Sequence, residues 1–272
     1  MNISERPLMT IRHAQYYLLL LALFGAGLFF TACEEETAEP NTDKGYEYFP
    51  LAVGQETLYR MDSVVLRPQV GGILYDSVQL EVRETLVDTI RDLEDKLWYR
   101  GERYDRRLDS VEWRFRQTFL LRREDNRALR REDNLEFVKM VFPLRGGNWD
   151  GHAAFDQYRE IEVGGQPIQI FADWSYRYLQ TEGPAVLGSP DGVGGEFYDD
   201  VVIIEGADYE NLLNRRFSLE AYNADIGLVF RQMEVFETQC QVCCGGDTGT
   251  CLDLPWTEKA EGGFIIRQWL VQ

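Results

Sequence analysis

The sequence predicts an all-β protein: a single antiparallel sheet of about 10–12 strands, strongly curved or forming an open β-barrel or sandwich. Apolar and polar residues alternate along most of the chain after residue 45, as in strands with one buried and one solvated face. Glycine-rich turns separate these runs, and few helices are expected outside the N-terminal leader. The 272 residues are 44% hydrophobic and 27% charged, which excludes a disordered chain or a polytopic membrane protein.

Residues 1–32 are predicted to form a lipoprotein signal peptide. Arg6 and Arg12 precede an apolar run over residues 16–30, which is shorter than the about 20 residues that span a bilayer. The segment Phe30-Thr31-Ala32-Cys33 then resembles a bacterial lipobox. That resemblance implies cleavage before Cys33 and acylation of its thiol. An ordinary signal peptide with an incidental cysteine and an uncleaved anchor helix are the alternatives.

Residues 33–45 are predicted to be the lipidated cysteine and a flexible acidic tether. The run from Glu34 to Glu36 is followed by polar residues without apolar periodicity. An acidic run directly after the cysteine resembles the surface-export signal of Bacteroidetes lipoproteins, and a plain solvated linker is the alternative. The expected location is therefore the outer membrane, with Cys33 as the lipid anchor. Whether the domain faces the periplasm or the cell surface is left open.

Residues 46–272 are predicted to be one β domain. The clearest alternation covers residues 77–90 and 111–122. Shorter runs predict strands at 57–66, 96–104, 135–143, 167–179, 197–205, 214–222, 227–237 and 263–271. The sequence Arg-Glu-Asp-Asn occurs at 123–126 and again at 131–134, and Asp-Asn favours tight hairpin turns.

Two similar segments begin Phe49-Pro50-Leu51 and Phe142-Pro143-Leu144. Proline limits pairing in a sheet, so each segment is expected at a sheet edge or at the entry to half of the sheet. Together with Gly54, Tyr59, Trp149 and Ile226-Gly227-Leu228-Val229, they resemble the small β-rich lipoproteins of Bacteroidetes. This resemblance implies a compartment and a fold, and it supplies no reaction and no site.

Four cysteines lie within a predicted loop at 240–251: Cys240, Cys243, Cys244 and Cys251. With Cys33 assigned to lipid, the even remainder in an extracytoplasmic protein predicts two disulfides of undetermined pairing. Zinc held by four thiolates, and free or redox-active thiols, are the alternatives. No cofactor is expected.

A candidate ligand face is formed by Arg114, Arg116 and Arg122, which alternate with aromatic residues along one predicted strand. Guanidinium groups match an anionic glycan or a phosphate. The alternative is a solvated face with ion pairs across strands. The tryptophans are either core residues or a platform for sugars.

Catalytic signals are weak. His152 is predicted to lie in a surface loop, and a carboxylate pair of the glycosidase type is not fixed by sequence. The glycine-rich segment 183–195 lacks the Lys-Ser/Thr ending and the flanking helix of a phosphate-binding loop. Asp191, Asp199 and Asp200 do not match the spacing of a known calcium loop.

The sequence therefore favours a non-enzymatic lipoprotein of the cell envelope that binds a ligand or partner or has a structural role. An outer-membrane protein or a glycan is the expected partner. The formal net charge of −18 argues against nucleic acid. A hydrolase of envelope material or polysaccharide that uses a carboxylate pair, and a carrier of a hydrophobic ligand, are the alternatives.

Overall fold

Antiparallel strands account for most of the described residues, as the alternation predicts. The computed structural model describes residues 44–152, 154–188, 195–242 and 247–271, which belong to one compact unit. Of these residues, 60% lie in strands and 5% in helices. The main element is a 12-stranded sheet that is nearly closed and barrel-like. The predicted signal peptide, Cys33 and the tether up to residue 43 lie outside the described residues.

The first half of the sheet is a meander of six strands that pair in chain order. These are β1 (Glu56–Gln69), β2 (Gly72–Arg91), β3 (Leu97–Arg107), β4 (Arg114–Arg123), β5 (Arg127–Glu132) and β6 (Leu135–Val141). Both turns predicted from the repeated tetrapeptide are confirmed. The Glu124 N–H donates to Arg127 O at 2.8 Å, and Asp133 and Asn134 both have positive φ.

The second half contains the shorter strands and the long C-terminal ones. In chain order the strands are β7 (Asn148–Trp149), β8 (Ile161–Val163), β9 (Gln166–Ile168), β10 (Tyr176–Gln180), β11 (Ala185–Gly188), β12 (Gly195–Tyr198), β13 (Val201–Glu210), β14 (Asn214–Asn223), β15 (Gly227–Glu237) and β16 (Gly262–Leu270). The sheet order is β6-β5-β4-β3-β2-β1-β16-β15-β14-β13-β10-β7, so pairing of β1 with β16 joins the halves. The pairs β8–β9 and β11–β12 are separate hairpins.

Within the described ranges, helical structure is confined to short turns: a 3₁₀ turn at Tyr46–Tyr48, α1 (Thr248–Leu252) and α2 (Trp256–Lys259). Two predicted strands are divided in the structure. The run 167–179 splits between β9 and β10, because Asp173 adopts a positive φ and the indole of Trp174 donates to Ile170 O. The run 197–205 splits between β12 and β13 at a bend over Asp199 and Asp200.

The two edge strands of the sheet, β6 and β7, come together and bring the barrel close to closure. The Val138 N–H donates to Gly151 O at 2.9 Å, and the indole of Trp149 donates to Val138 O at 3.0 Å. The Tyr178 hydroxyl accepts from the Val141 N–H at 3.0 Å and donates to Val141 O at 2.7 Å. Side chains of the β7–β10 edge thereby satisfy backbone groups that an edge strand leaves open.

Apolar residues pack on both faces of the sheet. The largest cluster includes Phe137, Ile168, Trp174 and Tyr176, with both Phe49 and Phe142 of the two similar segments. On the outer face, the hairpin β11–β12 covers Trp269 with Leu187 and Tyr198. None of the described helices is long and apolar enough to cross a membrane.

His152 is buried among aromatic rings, so the prediction of a surface histidine is wrong. Its ring centroid lies 4.8–5.5 Å from those of five neighbours: Phe137, Phe155, Phe171, Trp174 and Tyr176. Its Nε2 lies 3.0 Å from the Tyr176 hydroxyl. Burial, aided by the charge of Lys139, lowers the pKa of His152 to about 4.

Removal of the Tyr178 hydroxyl tests the closure. The variant Tyr178→Phe leaves the N–H and C=O of Val141 without their bridging partner, and we expect a loss of about 1–3 kcal/mol in the free energy of unfolding. Urea denaturation of the full chain measures it. The exposed Tyr158 provides a matched control, Tyr158→Phe, which should change stability by at most about 0.5 kcal/mol. Equal midpoints for the two variants would contradict this account of the closure.

The buried histidine predicts acid sensitivity. Between pH 6.5 and pH 4 an unfolded chain binds a proton at His152 that the folded chain does not, so stability falls as the pH falls. The expected loss by pH 4.5 is about 2–3 kcal/mol. The variant His152→Gln, which keeps a polar partner for Tyr176, should lose about 2–3 kcal/mol less by pH 4.5, and its remaining decline comes from buried carboxylates whose pKa is lowered. Urea denaturation at stepwise pH measures both proteins, and parallel profiles would refute the assignment.

Candidate functional site

A cavity of about 70 Å³ lies inside the barrel at the end where Phe49 and Pro50 pack. Its wall combines apolar side chains with charged ones from both halves of the sheet. It is lined by Phe49, Pro50, Gln55, Thr57, Tyr59, Glu84, Leu86, Phe119, Leu121, Arg130, Lys139, Tyr222, Ile226, Gly227, Leu228 and Arg231. Such a mixture of apolar wall and convergent polar groups is typical of ligand sites in proteins.

Buried ionic side chains surround this cavity, on strands that otherwise point apolar residues inward. This interior cluster consists of Glu84, Arg103, Arg130, Glu132, Lys139, Glu220 and Arg231. Alternation along each strand aims these side chains at the barrel interior. Long charged side chains also fill space that a sheet of this many strands leaves inside.

Glu220 accepts hydrogen bonds from two cations of the interior cluster, Lys139 and Arg231. Its Oε1 accepts from Lys139 Nζ and from Arg231 Nε, each at 2.8 Å, and its Oε2 accepts from the Tyr222 hydroxyl at 2.7 Å. Burial opposes its ionisation, but Lys139 and Arg231 outweigh burial, and the pKa of Glu220 is lowered. Glu220 is therefore a carboxylate whose charge is held by three donors.

Arg130 donates hydrogen bonds to the other two carboxylates of the interior cluster, Glu84 and Glu132. It binds both oxygens of Glu84, at 2.8 and 3.1 Å, and also donates to Glu132 at 2.8 Å. Its guanidinium lies 4.2 Å from the centroid of Phe119. That ring crosses strand β3 directly above Gly101, where an added Cβ would lie 2.2 Å from a ring atom. Glycine at 101 thus makes room for the ring that supports Arg130.

The carboxyl groups of the interior cluster are ionised at neutral pH. Burial raises the pKa of Glu84, but Arg130 and Arg103 more than compensate, and its pKa is lowered. Arg130, Arg231 and Lys139 overcome the burial of Glu132 and lower its pKa to about 2. A general acid of a glycosidase needs a raised pKa, so these carboxylates do not suit that role.

The predicted ligand face does not exist as one surface. Arg122 is buried, with its guanidinium 4.7 Å from the centroid of Trp98 and paired with Glu124. Arg114 and Arg116 are exposed near the start of β4, and Arg116 is the extra residue of a β-bulge opposite Arg103 and Tyr104. The bulge interrupts the alternation on which the prediction rested. Arg122 instead forms ion pairs with Glu124, just after its own strand, and with Asp92 in the turn between β2 and β3.

Two of the four loop cysteines fall within the described residues, and they are not joined. Cys240 and Cys251 are both buried, and a hydrogen bond between them raises the pKa of Cys240. No disulfide is found among the described residues, and the two predicted disulfides stay a prediction because they involve Cys243 and Cys244. Cys243 and Cys244 lie outside the described residues. Among those described, no group of three metal-ligating side chains occurs.

The remaining predicted candidates have structural roles where they are described. Asp200 accepts from the Tyr48 hydroxyl at 2.8 Å and from the Gly183 N–H at 3.1 Å, so its carboxylate fixes two loops to each other. Asp199 lies in the bend beside it, and Asp191 falls outside the described residues. The tryptophans pack in aromatic clusters or stack with arginines, away from the cavity wall.

Sequence reasoning missed the interior cluster, although one signal of it is visible. On the strand predicted at 77–90, the apolar face is formed by Val78, Leu80, Val82 and Leu86, and Glu84 interrupts it. A charge on a buried face requires a buried partner. The partner, Arg130, lies on β5, a strand that alternation did not predict.

Comparison of the chain with known protein families, with curated proteins and with solved structures finds no match.

Neutralising Glu220 tests the ionic balance of the interior. In Glu220→Gln, Lys139 and Arg231 lose the charge that both contact, and we expect the free energy of unfolding to fall by about 3–5 kcal/mol. The half-exposed pair of Glu210 and Arg215 provides the control, because Glu210→Gln should cost at most about 1 kcal/mol. Urea denaturation measures the free energy of unfolding of both variants, which is compared directly where the dependence on urea concentration is the same. Similar losses for both variants would show that the Glu220 pairs contribute no more than surface pairs.

Proposed function

We propose that this chain is a non-enzymatic lipoprotein of the cell envelope, anchored in the outer membrane through acylated Cys33, that binds a small ligand inside its barrel. The observation that carries the binding role is the cavity beneath Phe49 and Pro50, into which Arg130, Lys139 and Arg231 project. The lipobox-like segment ending at Cys33 supports the anchor.

The volume of the cavity and the charges in its wall favour a small polar ligand over a lipid. A cavity of about 70 Å³ accommodates about five water-sized groups, whereas an acyl chain needs several times that volume. Ionised side chains in the wall also penalise an apolar ligand, because their remaining donors would stay unsatisfied. A polar ligand therefore fits better than a hydrophobic cargo.

The chemistry of the wall favours binding over hydrolysis. Each interior carboxylate is bonded to at least one arginine or lysine and has a lowered pKa. A hydrolytic pair needs one protonated acid beside one free carboxylate. Side chains arranged to hold fixed charges suit recognition of a ligand.

Native mass spectrometry of the full chain, extracted from its own membranes, tests both parts of the proposal. The expected species begins at Cys33, carries acyl chains and retains a small ligand. Cys33→Ser should leave the membrane fraction, whereas Leu228→Trp should remain lipidated but lose the retained ligand, because Leu228 lines the cavity. Leu179→Trp, at an exposed position, is the control that should keep the ligand.

Two results would count against the proposal separately. An unlipidated chain in the membrane fraction would remove the anchor and leave the cavity unaffected. A lipidated chain whose small-molecule content is the same in Leu228→Trp as in Leu179→Trp would remove the binding role and leave the anchor.

A further inference from the structure

The interior cluster does not balance its own charge. Arg103, Arg130, Lys139 and Arg231 contribute four positive charges, and Glu84, Glu132 and Glu220 contribute three negative ones, which leaves one positive charge in excess. These side chains are buried or nearly so. An uncompensated charge in such surroundings is costly unless a counter-charge joins it.

The hydrogen-bond geometry places the unused donors at one part of the wall. Arg130 is committed to Glu84 and Glu132. Arg231, by contrast, donates to the described residues through Nε alone, which leaves the Nη groups of its guanidinium available beside the cavity. Lys139 uses one of its three donors, on the same oxygen of Glu220.

Arg231 and Lys139 are held side by side because both contact Glu220 Oε1 at 2.8 Å. Two cations that share one carboxylate oxygen present a combined positive field on the side away from it. Consistent with this, burial and the charge of Arg231 lower the pKa of Lys139 even though Glu220 opposes the shift.

We propose that the cavity binds a small monovalent carboxylate of up to about five non-hydrogen atoms, held by the Nη groups of Arg231 and by Lys139. This inference rests on the proposed function and specifies its ligand. A carboxylate matches the guanidinium fork, and one negative charge brings the interior to neutrality. A divalent phosphate of similar size would leave the interior with an excess negative charge.

Equilibrium dialysis of the full chain in detergent, with radiolabelled acetate at constant ionic strength, tests the inference. We expect saturable binding of one acetate per chain. Acetamide, which has the shape of acetate but no charge, should not compete. Hexanoate should not compete either, because its eight non-hydrogen atoms exceed the space in the cavity.

Variants of matched charge identify the residues. Arg231→Gln removes the proposed fork, and we expect acetate binding to weaken about tenfold or more. Arg267→Gln removes an arginine that is about half exposed on the adjacent strand β16, and it should change acetate binding by less than about twofold. Lys139→Met is a second test of the same site, should Arg231→Gln fail to fold.

The possible failures are distinguishable from failure of the proposed function. If acetamide competes as well as unlabelled acetate, or if folded Arg231→Gln binds acetate as the unmodified chain does, the inference about charge is wrong while a cavity ligand remains. If no saturable acetate binding occurs although Leu228→Trp still loses a co-purified molecule, the carboxylate is wrong and the cavity still binds. Binding of acetate that Leu228→Trp leaves unchanged would place it elsewhere on the chain and overturn the inference.

Discussion

The ion pairs inside the barrel are the constraint on which the rest of the structure depends. Charged groups removed from water are tolerated only where opposite charges and hydrogen bonds replace the lost hydration. Here, those partners come from different halves of the sheet: Lys139 lies on the edge strand β6, and Glu220 lies on β14. The pair therefore spans the interior and requires the sheet to curve until its two halves face each other. Backbone contacts from Val138 to Gly151 then join the edges that this curvature brings together.

The interior is divided between two kinds of packing that support each other. At one end, aromatic rings surround His152 and fill the space with apolar contacts. Toward the cavity, the filling changes to ion pairs, and Lys139 belongs to both regions, since its ammonium lies 5.2 Å from the Phe137 centroid and 2.8 Å from Glu220. The aromatic end keeps water away from Lys139, which strengthens its interaction with Glu220 in a medium of low dielectric constant. Packing at one end thus sets the electrostatics of the cavity.

Local patterns in the sequence predicted most of the sheet but little of the site. Alternation identified the long strands, and Asp-Asn turns placed the hairpins around β5, because both signals arise within a few consecutive residues. The ion pairs join residues far apart in the chain, such as Glu84 with Arg130, and no local pattern encodes them. A bulge of one residue in β4 sufficed to separate Arg114 and Arg116 from Arg122. Cysteine parity predicted disulfides from compartment and number alone, and it could not predict the contact of Cys240 with Cys251, because the fold of the loop decides which cysteines meet.

The contrast between the surface and the interior would let the proposed site select its ligand. The whole chain carries a formal charge of −18, so its outer field repels anions, while the cavity wall attracts them. Salt screens the outer repulsion beyond about 8 Å, but it acts weakly on the buried donors of Arg231 and Lys139. A large polyanion remains outside, where most of its charge meets acidic surface. The proposed monoanion would experience that repulsion only during entry and would then lie among the unshared donors of Arg231 and Lys139. The size of the cavity and the sign of the excess charge therefore act together, since only a ligand that is both small and singly negative satisfies the space and the charge at once.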